Sequence, residues 1–272
     1  MTNMSKLAVI MSIYKSDTLY ATKQSIQSIL EQTFSDFDFF IMYDGPIADD
    51  IDSFLSKLND HRLKIYKRNQ NKGLAFSLNE LLSIILNNGY EFIARMDADD
   101  YSLPTRFEEQ ILFLQNNIEI DVCGSYIKEM KDLNQLLNIV KYPMNHIKCL
   151  KYIGYRNPLA HPVVMFRSSF FNKAGMYPTD TLRDEDTGLW LNGFLAGCKF
   201  ANLPKVLLYM RISEDFFERR IGKEKSLADY EKRKEVIKKL HLPRKFFLIN
   251  YFRYLLFRYS SSRILHFTYK LR

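Results

Sequence analysis

The chain of 272 residues is long enough to bury a substantial core, and its 47% hydrophobic and 26% charged residues are typical of a soluble globular protein, not a disordered or membrane-embedded one. The net charge of +8 is uneven, because residues 219–272 hold 16 Lys and Arg against 4 Asp and Glu, leaving −4 on the first 218 residues. Three widely spaced cysteines lack CxxC or other metal-ligand spacing, which argues against a cysteine metal site and indicates reduced core thiols in a reducing cytoplasm.

The first predicted element is the apolar run Leu7–Ile13. It is too short to cross a bilayer and no small-residue cleavage site follows it, so we expect a buried strand in a protein that is not exported. Similar runs alternate with amphipathic segments in which apolar residues recur at helical spacing. The predicted strands are Leu7–Ile13, Phe39–Tyr43, Leu63–Tyr66 and Phe92–Met96, and the predicted helices are Leu19–Gln32, Ile51–Leu58 and Leu74–Asn87.

This alternation of strands and helices predicts an α/β fold with a mostly parallel central sheet flanked by helices. Ligands of such sheets bind beyond the carboxyl ends of the strands. Polar segments follow the four strands, at Ser12–Lys15, Asp44-Gly45, Arg68–Gly73 and Asp97–Asp100. We therefore expect a polar site at this edge of the sheet.

Asp97, Asp99 and Asp100 form the sharpest acidic cluster in the sequence. Carboxylates at positions i and i+2 after a buried strand can converge on one Mg²⁺ or Mn²⁺, which keeps coordination sites open for phosphate oxygens. The alternative is an acidic turn before the next helix, where Pro104 suits the first helical position. Taken alone, these residues do not separate the two interpretations.

Beyond residue 104 the predicted elements are mixed. The first is a helix that buries Phe107, Ile111 and Leu114. Further strands are predicted at Val122–Met130, Leu136–Tyr142, Val163–Phe166 and Lys205–Ile212, with a helix over Leu189–Ala196. From Lys223 onward the chain is predicted to be helical, with an interruption at Pro243.

Two features of this second half are ambiguous. Asp184, Glu185 and Asp186 either occupy the first turn of a helix, where its dipole stabilises them, or include a general base at the same edge of the sheet. His161, before a predicted strand, is either a structural hydrogen-bonding residue or part of the site. The chain lacks GxGxxG, GxxxxGK[ST] and GxSxG, which argues against dinucleotide-dependent, P-loop and α/β-hydrolase enzymes.

The C-terminal segment, residues 244–272, interleaves aromatic residues with arginines. Its apolar stretch from Phe246 to Phe257 contains Arg253 and is too short to span a bilayer. Two interpretations are equally open: peripheral contact with an anionic membrane, and a helical layer packed on the rest of the chain. A nucleic-acid surface ranks third, and we expect no nucleic acid partner.

Several short sequences, each weak alone, occur in a specific order between Lys6 and Gly222. They are Val9–Tyr14, Gln24–Thr33, Asp44-Gly45, Asn71–Ala75, Ala94–Asp100 with Pro104 and Arg106-Phe107, His161–Arg167, and Glu185-Asp186 with Leu189-Trp190. In this order they resemble the family 2 glycosyltransferases of the GT-A fold, especially bacterial enzymes that build O-antigen, capsule and other exopolysaccharides. The resemblance favours the metal-site interpretation of the acidic cluster.

The resemblance implies roles for individual residues of the first half. Nucleotide-sugar binding is implied for Ser12, Tyr14, Asp44, Asn71, Lys72, Gly73, Asp97 and Asp99. Asp44 would accept a hydrogen bond from the uracil base. Asp99 would bind Mn²⁺ or Mg²⁺, while Asp97 would contact the ribose or complete the metal shell.

In the second half, the resemblance implies that Asp186 is the general base. Glu185, His161 and Arg167 would lie near the donor sugar or the acceptor. Arg211 and Arg219-Arg220 resemble a late basic motif of the polysaccharide subgroup, for which we consider a role facing phosphate.

The implied reaction is an inverting, metal-dependent transfer of a hexose from a UDP-sugar to a growing, lipid-diphosphate-linked saccharide, giving a β-linkage. The QxxRW motif of processive synthases is absent, so single addition is expected. The implied domains are a catalytic domain at 1–218, divided into nucleotide-binding (1–103) and acceptor (104–218) halves, and a basic helical extension at 219–272. The expected location is the cytoplasm, with peripheral contact to the inner membrane through 244–272.

Two other classes of function stay open at this point. A nucleotidyltransferase or sugar-phosphate-processing enzyme could use a similar metal–phosphate edge. A catalytically inactive transferase fold could serve as a carbohydrate- or membrane-binding module.

Overall fold

A computed structural model describes residues 7–180, 184–212 and 223–259. Its strands are β1 (Leu7–Ile13), β2 (Phe37–Tyr43), β3 (Leu63–Lys67), β4 (Phe92–Arg95), β5 (Tyr101–Ser102), β6 (Val122–Asp132), β7 (Gln135–Val140), β8 (Met165–Arg167) and β9 (Phe200–Arg211). Its helices are α1 (Leu19–Leu30), α2 (Asp49–Lys57), α3 (Leu74–Ile85), α4 (Arg106–Asn116), α5 (His146–Tyr152), α6 (Ser169–Ala174), α7 (Glu185–Leu195), α8 (Lys223–Lys239) and α9 (Lys245–Tyr259).

The strands form one mixed sheet in the order β3-β2-β1-β4-β8-β6-β9-β5, with β7 paired to β6 outside this path. Strands β3, β2, β1 and β4 are parallel neighbours, which confirms the alternation predicted for the first hundred residues. The short strand β8 is antiparallel to both β4 and β6, whereas β6 and β9 are parallel. The carboxyl ends of β1, β2 and β4 therefore share one edge, and β8 points away from it.

Strand β9 begins at Phe200, earlier than the predicted start at Lys205. Pro204 interrupts the pattern expected of a strand, since it cannot donate a backbone hydrogen bond to a ladder. The sheet accommodates it in a bulge, because β6 pairs first with Leu203 and next with Val206. Both residues of the bulge are exposed.

Other differences involve short elements. Val163 lies in a 3₁₀ turn, so β8 starts later than the predicted strand. Helices α5 and α6 were not predicted, because segments of seven and six residues are too short to show helical periodicity. Helix α7 begins at Glu185. Glu185 and Asp186 therefore lie in its first turn, and Asp184 is the residue just before the helix.

Each face of the sheet carries its own apolar layer. Val9 and Met11 of β1 pack with helices α1, α2 and α4, whereas Ala8 and Ile10 pack with α3, α6 and α7. This alternation follows from the two-residue period of a strand, and burial on both faces explains the continuous apolar runs in the sequence. The three cysteines are free and buried, as predicted.

The C-terminal helices pack against residues 153–157. Phe246 stacks on Tyr155, and the Asn250 amide donates to the Gly154 carbonyl at 2.7 Å. Arg233 of α8 is buried and donates to the Ile153 carbonyl at 3.0 Å. The domain boundary predicted at 218/219 falls outside the described residues, and within them no helix is long and apolar enough to cross a membrane.

Candidate active site

The end of β1 and the loop after it contribute three residues to the polar edge of the sheet. Ser12 is partly buried near the end of β1, and the Tyr14 side chain is exposed. Asp17 accepts a hydrogen bond from the Tyr14 N–H at 2.8 Å. Burial raises the pKa of Asp17 to about 7 against the effect of that hydrogen bond, and the Asp99 and Asp97 carboxylates add to the increase. Asp17 therefore lies near the acidic turn after β4, although no motif indicated it.

The segment after β2 is joined to the loop after β3 through a buried carboxylate. Asp44 Oδ1 accepts from the backbone N–H of Lys72 at 2.8 Å, and Oδ2 accepts from that of Gly73 at 2.9 Å. Arg68 forms an ion pair with the same carboxylate. A Cβ at Gly45, whose φ is +83°, would lie 2.7 Å from the next loop's backbone, so glycine is required there.

This arrangement brings together the predicted nucleotide-binding residues Asp44, Asn71, Lys72 and Gly73. The Asn71 amide donates to the Asp44 carbonyl at 3.2 Å. A carboxylate has about four acceptor positions, so Asp44 keeps capacity for one further donor on Oδ2. Contact between Asp44 and a base remains a prediction.

The turn after β4 is anchored by buried cations and hydroxyls. Arg95, 2% exposed at the end of β4, pairs with Asp97 through both of its terminal nitrogens. The Ser25 hydroxyl donates to the Asp97 carbonyl at 2.7 Å. Arg106 is fully buried and donates to the Arg95 carbonyl at 2.7 Å. These contacts fix the Asp97 carboxylate, which is about one-third exposed.

Asp99 and Asp100 complete the acidic turn. Arg211 of β9 donates from Nε to the Asp99 carbonyl at 2.9 Å and from its backbone N–H to Asp100 at 2.8 Å. Burial and the Asp97 carboxylate raise the pKa of Asp99 to about 6, although Arg95 opposes the increase. Burial and its two acidic neighbours raise the pKa of Asp100 well above its ordinary value.

The geometry of this turn fits a divalent cation. One carboxylate oxygen from each of Asp97, Asp99 and Asp100 lies within 4.8 Å of the other two. The Asp100 Oδ2 atom is buried with no hydrogen-bond partner, and Asp99 forms no ion pair within the described ranges. Oxygen ligands and excess negative charge are the conditions under which Mg²⁺ or Mn²⁺ binds.

The second acidic group lies in the first turn of α7. Asp186 accepts from the Asn157 amide at 2.6 Å on Oδ2 and from the Thr187 N–H at 2.6 Å on Oδ1. The preceding Asp184 has a left-handed φ of 79°, which turns the chain into the helix. Each Asp186 oxygen keeps one acceptor position, so the carboxylate is held in place yet still able to bind a donor.

A buried arginine from the C-terminal extension supports this carboxylate indirectly. Arg233 donates to the Asn157 side-chain oxygen at 2.8 Å, and the Thr187 hydroxyl donates to the same oxygen at 2.9 Å. Two donors on that oxygen orient the Asn157 amide nitrogen towards Asp186. Helix α8 is thereby linked to the site, a connection that the sequence did not predict.

A buried aromatic floor lies near the two acidic groups. His161 is 9% exposed, its Nε2 lies 2.9 Å from the Tyr177 hydroxyl, and its ring meets the Trp190 ring edge-on. Burial and Arg95 lower the pKa of His161 well below its ordinary value, so its ring is neutral. Tyr177 experiences the charges of Arg95, Glu185, Asp186 and Asp97, so both acidic groups lie near this floor.

The structure corrects the prediction for Arg167. Its Nε donates to the Ile120 carbonyl at 2.9 Å, and Arg167 is the register partner of Phe92, the first residue of β4. Because β8 is antiparallel to β4, Arg167 lies at the opposite edge of the sheet, about 17 Å along the strand direction from Asp97. Arg167 therefore is not part of the site.

Arg211, a residue of the late basic motif, makes structural contacts. Besides holding the acidic turn, it donates to the Gln24 side chain at 2.8 Å and to the Lys131 carbonyl at 2.7 Å. All of its nitrogens therefore have protein partners. Arg219-Arg220 lie outside the described residues.

Glu185 provides a test of the electrostatics of α7. Burial and Asp186 raise its pKa from 4.5 to about 7, so the folded state binds its proton more tightly than the unfolded state does. Stability is then lost as pH rises from about 4.5 through 7. We expect Glu185→Gln to increase the free energy of unfolding at pH 8 by on the order of 2 kcal/mol and to have little effect at pH 4.5. Urea titrations in EDTA check this, with the exposed Glu119→Gln as a control that changes neither value.

Comparison with known proteins places this geometry in context. A family model described as glycosyl transferase family 2 matches residues 8–174. The chain is 34% identical to the O-antigen biosynthesis glycosyltransferase WbnJ of Escherichia coli, over 76% of this chain and 79% of that protein. It is 26% identical to the E. coli UDP-Gal:α-D-GlcNAc-diphosphoundecaprenol β-1,3-galactosyltransferase, over 90% and 88% of the two chains.

Solved structures share the fold. The Staphylococcus aureus TarS 1–349 complex with UDP-GlcNAc superimposes with a TM-score of 0.63 at 18% identity, covering 91% of this chain and 73% of that one. The Pyrobaculum calidifontis mannosyltransferase PcManGT, in complex with GDP-Man and Mn²⁺, gives a TM-score of 0.64 at 14% identity, over 99% and 81%. The α/β architecture is thus the GT-A fold that the motifs led us to expect.

Proposed function

The chain belongs to glycosyl transferase family 2, and from that premise we propose that it transfers a hexose from a UDP-sugar to a growing bacterial surface polysaccharide. The names of its relatives support this substrate class, since they refer to O-antigen and to a UDP-galactose donor. The observation that carries the proposal is the presence of two acidic groups near the same buried Tyr177, namely Asp97–Asp100 after β4 and Asp186 in α7.

The two acidic groups suit different parts of one displacement. A divalent cation bound by Asp99 and Asp97 would neutralise charge on the leaving diphosphate. Asp186 would take the proton of the acceptor hydroxyl as that oxygen bonds to the anomeric carbon. The bond to the diphosphate breaks on the opposite face, and the diphosphate leaves with the electron pair. This single displacement inverts the anomeric centre, so an α-linked donor yields a β-linked product.

The acceptor proposed is a saccharide attached to a lipid diphosphate. Support comes from the name of the E. coli relative, which refers to a diphosphoundecaprenol acceptor, and from the net charge of +12 on residues 219–272. Such an acceptor places the enzyme in the cytoplasm, at the inner membrane surface. Addition of a single sugar fits the absence of a QxxRW sequence.

A donor screen tests this function. Purified protein with Mn²⁺ is incubated with UDP-Glc, UDP-Gal, UDP-GlcNAc, UDP-GalNAc or GDP-Man and a saccharide diphosphate acceptor carrying a short, water-soluble alkyl chain. We expect UDP release and a β-linked product with one UDP-sugar. Consumption of a nucleoside triphosphate with pyrophosphate release would indicate a nucleotidyltransferase instead, and UDP binding without turnover of any donor would indicate a binding module.

We expect Arg233→Met to lower kcat about tenfold while leaving the donor KM unchanged, because the Asn157 amide loses one of the two donors that orient it towards Asp186. Steady-state kinetics with the soluble acceptor measure both constants, and thermal melting shows that the variant is folded. Lys234→Met is the matched control, since Lys234 pairs with Glu231 on the same helix. Equal kinetics for the two variants would contradict the positioning role of Arg233.

A further inference from the structure

Helix α9 exposes a row of apolar side chains. Leu248, Ile249, Phe252, Leu256 and Tyr259, which we call the α9 outer face, follow helical spacing, and Leu248, Phe252 and Tyr259 are 63%, 67% and 73% exposed. A helix packed on a domain ordinarily buries its apolar side and exposes its polar side. Here apolar residues lie on both sides, since the buried side holds Phe246 and Tyr254 together with Asn250, whose amide bonds to Gly154. Among the described residues none covers the α9 outer face, which leaves it open to contact with something apolar.

Cations adjoin the α9 outer face on the side of α5. An open groove of about 520 Å³ lies between α5 and α9. Exposed Lys148, Lys151 and Lys245 line it together with Tyr152 and Tyr155. Residues 143–156 and 244–259 contain no Asp or Glu, so no carboxylate from either segment offsets these charges. On the side of α5, the surface thus combines exposed apolar side chains with positive charges.

We propose that the α9 outer face and the lysine groove together bind the surface of an anionic lipid leaflet. The apolar side chains would enter the boundary between headgroups and acyl chains, while the lysines contact lipid phosphates. Aliphatic side chains such as Leu248 and Leu256 do not stack on bases, which disfavours a nucleic acid at this surface. The proposal rests on the lipid-linked acceptor of the proposed function and identifies the surface that would bring the enzyme to it.

The position of this surface relative to the site supports the proposal. Tyr152 and Tyr155 line the groove, and Asn157 in the same segment donates to Asp186. Five residues span at most about 18 Å, so the groove lies within that distance of Asn157. A saccharide attached through its diphosphate to a leaflet at the groove would therefore be within reach of Asp186.

Flotation of the full-length protein with vesicles tests the proposal. The vesicles are phosphatidylcholine alone or phosphatidylcholine with 30% phosphatidylglycerol, at low and at high salt. We expect binding to the anionic vesicles only, weakened by salt. A triple variant that combines Lys148→Gln, Lys151→Gln and Lys245→Gln should partition about 100-fold less to the anionic vesicles. Each lysine near the surface contributes roughly a fivefold factor to this partitioning. Leu248→Ser with Phe252→Ser should reduce it at both salt concentrations.

The control is Lys23→Gln, Lys57→Gln and Lys205→Gln combined, which removes three exposed lysines elsewhere and should leave partitioning unchanged. Equal binding to both vesicle types, or none to either, would overturn the proposal. A further contradicting result would be a protein that is dimeric in solution and becomes monomeric on Phe252→Ser, with vesicle binding unchanged. The α9 outer face would then be a contact between two copies of the chain. Transfer to the soluble acceptor without vesicles reports the proposed function separately.

Discussion

Asp186→Asn should lower kcat by about 10³-fold while leaving UDP binding intact, because the amide has the shape of the carboxylate but cannot take a proton. The side chain is held by Asn157 and Thr187 at 2.6 Å each, so the loss cannot be attributed to a mobile side chain in the native enzyme. Single-turnover kinetics with the soluble acceptor measure the chemical step. Calorimetric titration with UDP and Mn²⁺ measures donor binding.

Two neighbours serve as controls for this experiment. Asp184→Asn should retain turnover within a few-fold, and asparagine tolerates the left-handed conformation at that position. Glu185 is the alternative base, since its pKa of about 7 suits proton transfer near neutral pH. If Glu185→Gln abolished transfer and Asp186→Asn did not, the base would be Glu185. If both variants kept their transfer activity, neither Glu185 nor Asp186 of α7 would be the general base.

The first half of the fold could be predicted because its strands are buried on both faces. Residues such as Val9 and Ile10 pack into opposite layers, which produces uninterrupted apolar runs bounded by helical periodicity. The second half was harder because β8 has three residues and β9 passes through Pro204 at a bulge. Short or bulged strands have no distinctive period.

Among the site residues, the sequence identified those at the ends of parallel strands. Asp44 and Asp97 could be placed together because parallel neighbouring strands end at the same edge. Arg167 was misplaced because the order of motifs along the chain does not show that β8 is antiparallel to β4. Arg233 was missed because its partner Asn157 is 76 residues away and neither residue belongs to a recognisable motif. Long-range polar contacts of this kind require the folded structure.

Asp99→Asn should strongly reduce transfer while making the metal-free protein more stable at pH 8. Its pKa is raised from 3.8 to about 6 by burial and by Asp97, so the ionised carboxylate destabilises the folded state as pH rises through this interval. Removing that charge should increase the free energy of unfolding at pH 8 by on the order of 1–3 kcal/mol and change little below pH 4. Urea titrations in EDTA measure this effect, with the exposed Asp36→Asn as the control.

A gain in stability combined with a loss of activity would indicate that the function of the Asp99 carboxylate is to bind a cation. With UDP at 100 times its dissociation constant in the presence of Mn²⁺, the native protein should gain about 2.7 kcal/mol of stability. The Asp99→Asn variant should gain much less, and transfer should fall by about 10³-fold. An acidic turn that only precedes a helix would behave differently, because Mn²⁺ would then stabilise neither protein and transfer would survive. Because Arg95 pairs with Asp97, we expect Asp99 to contribute more to binding the cation than Asp97 does.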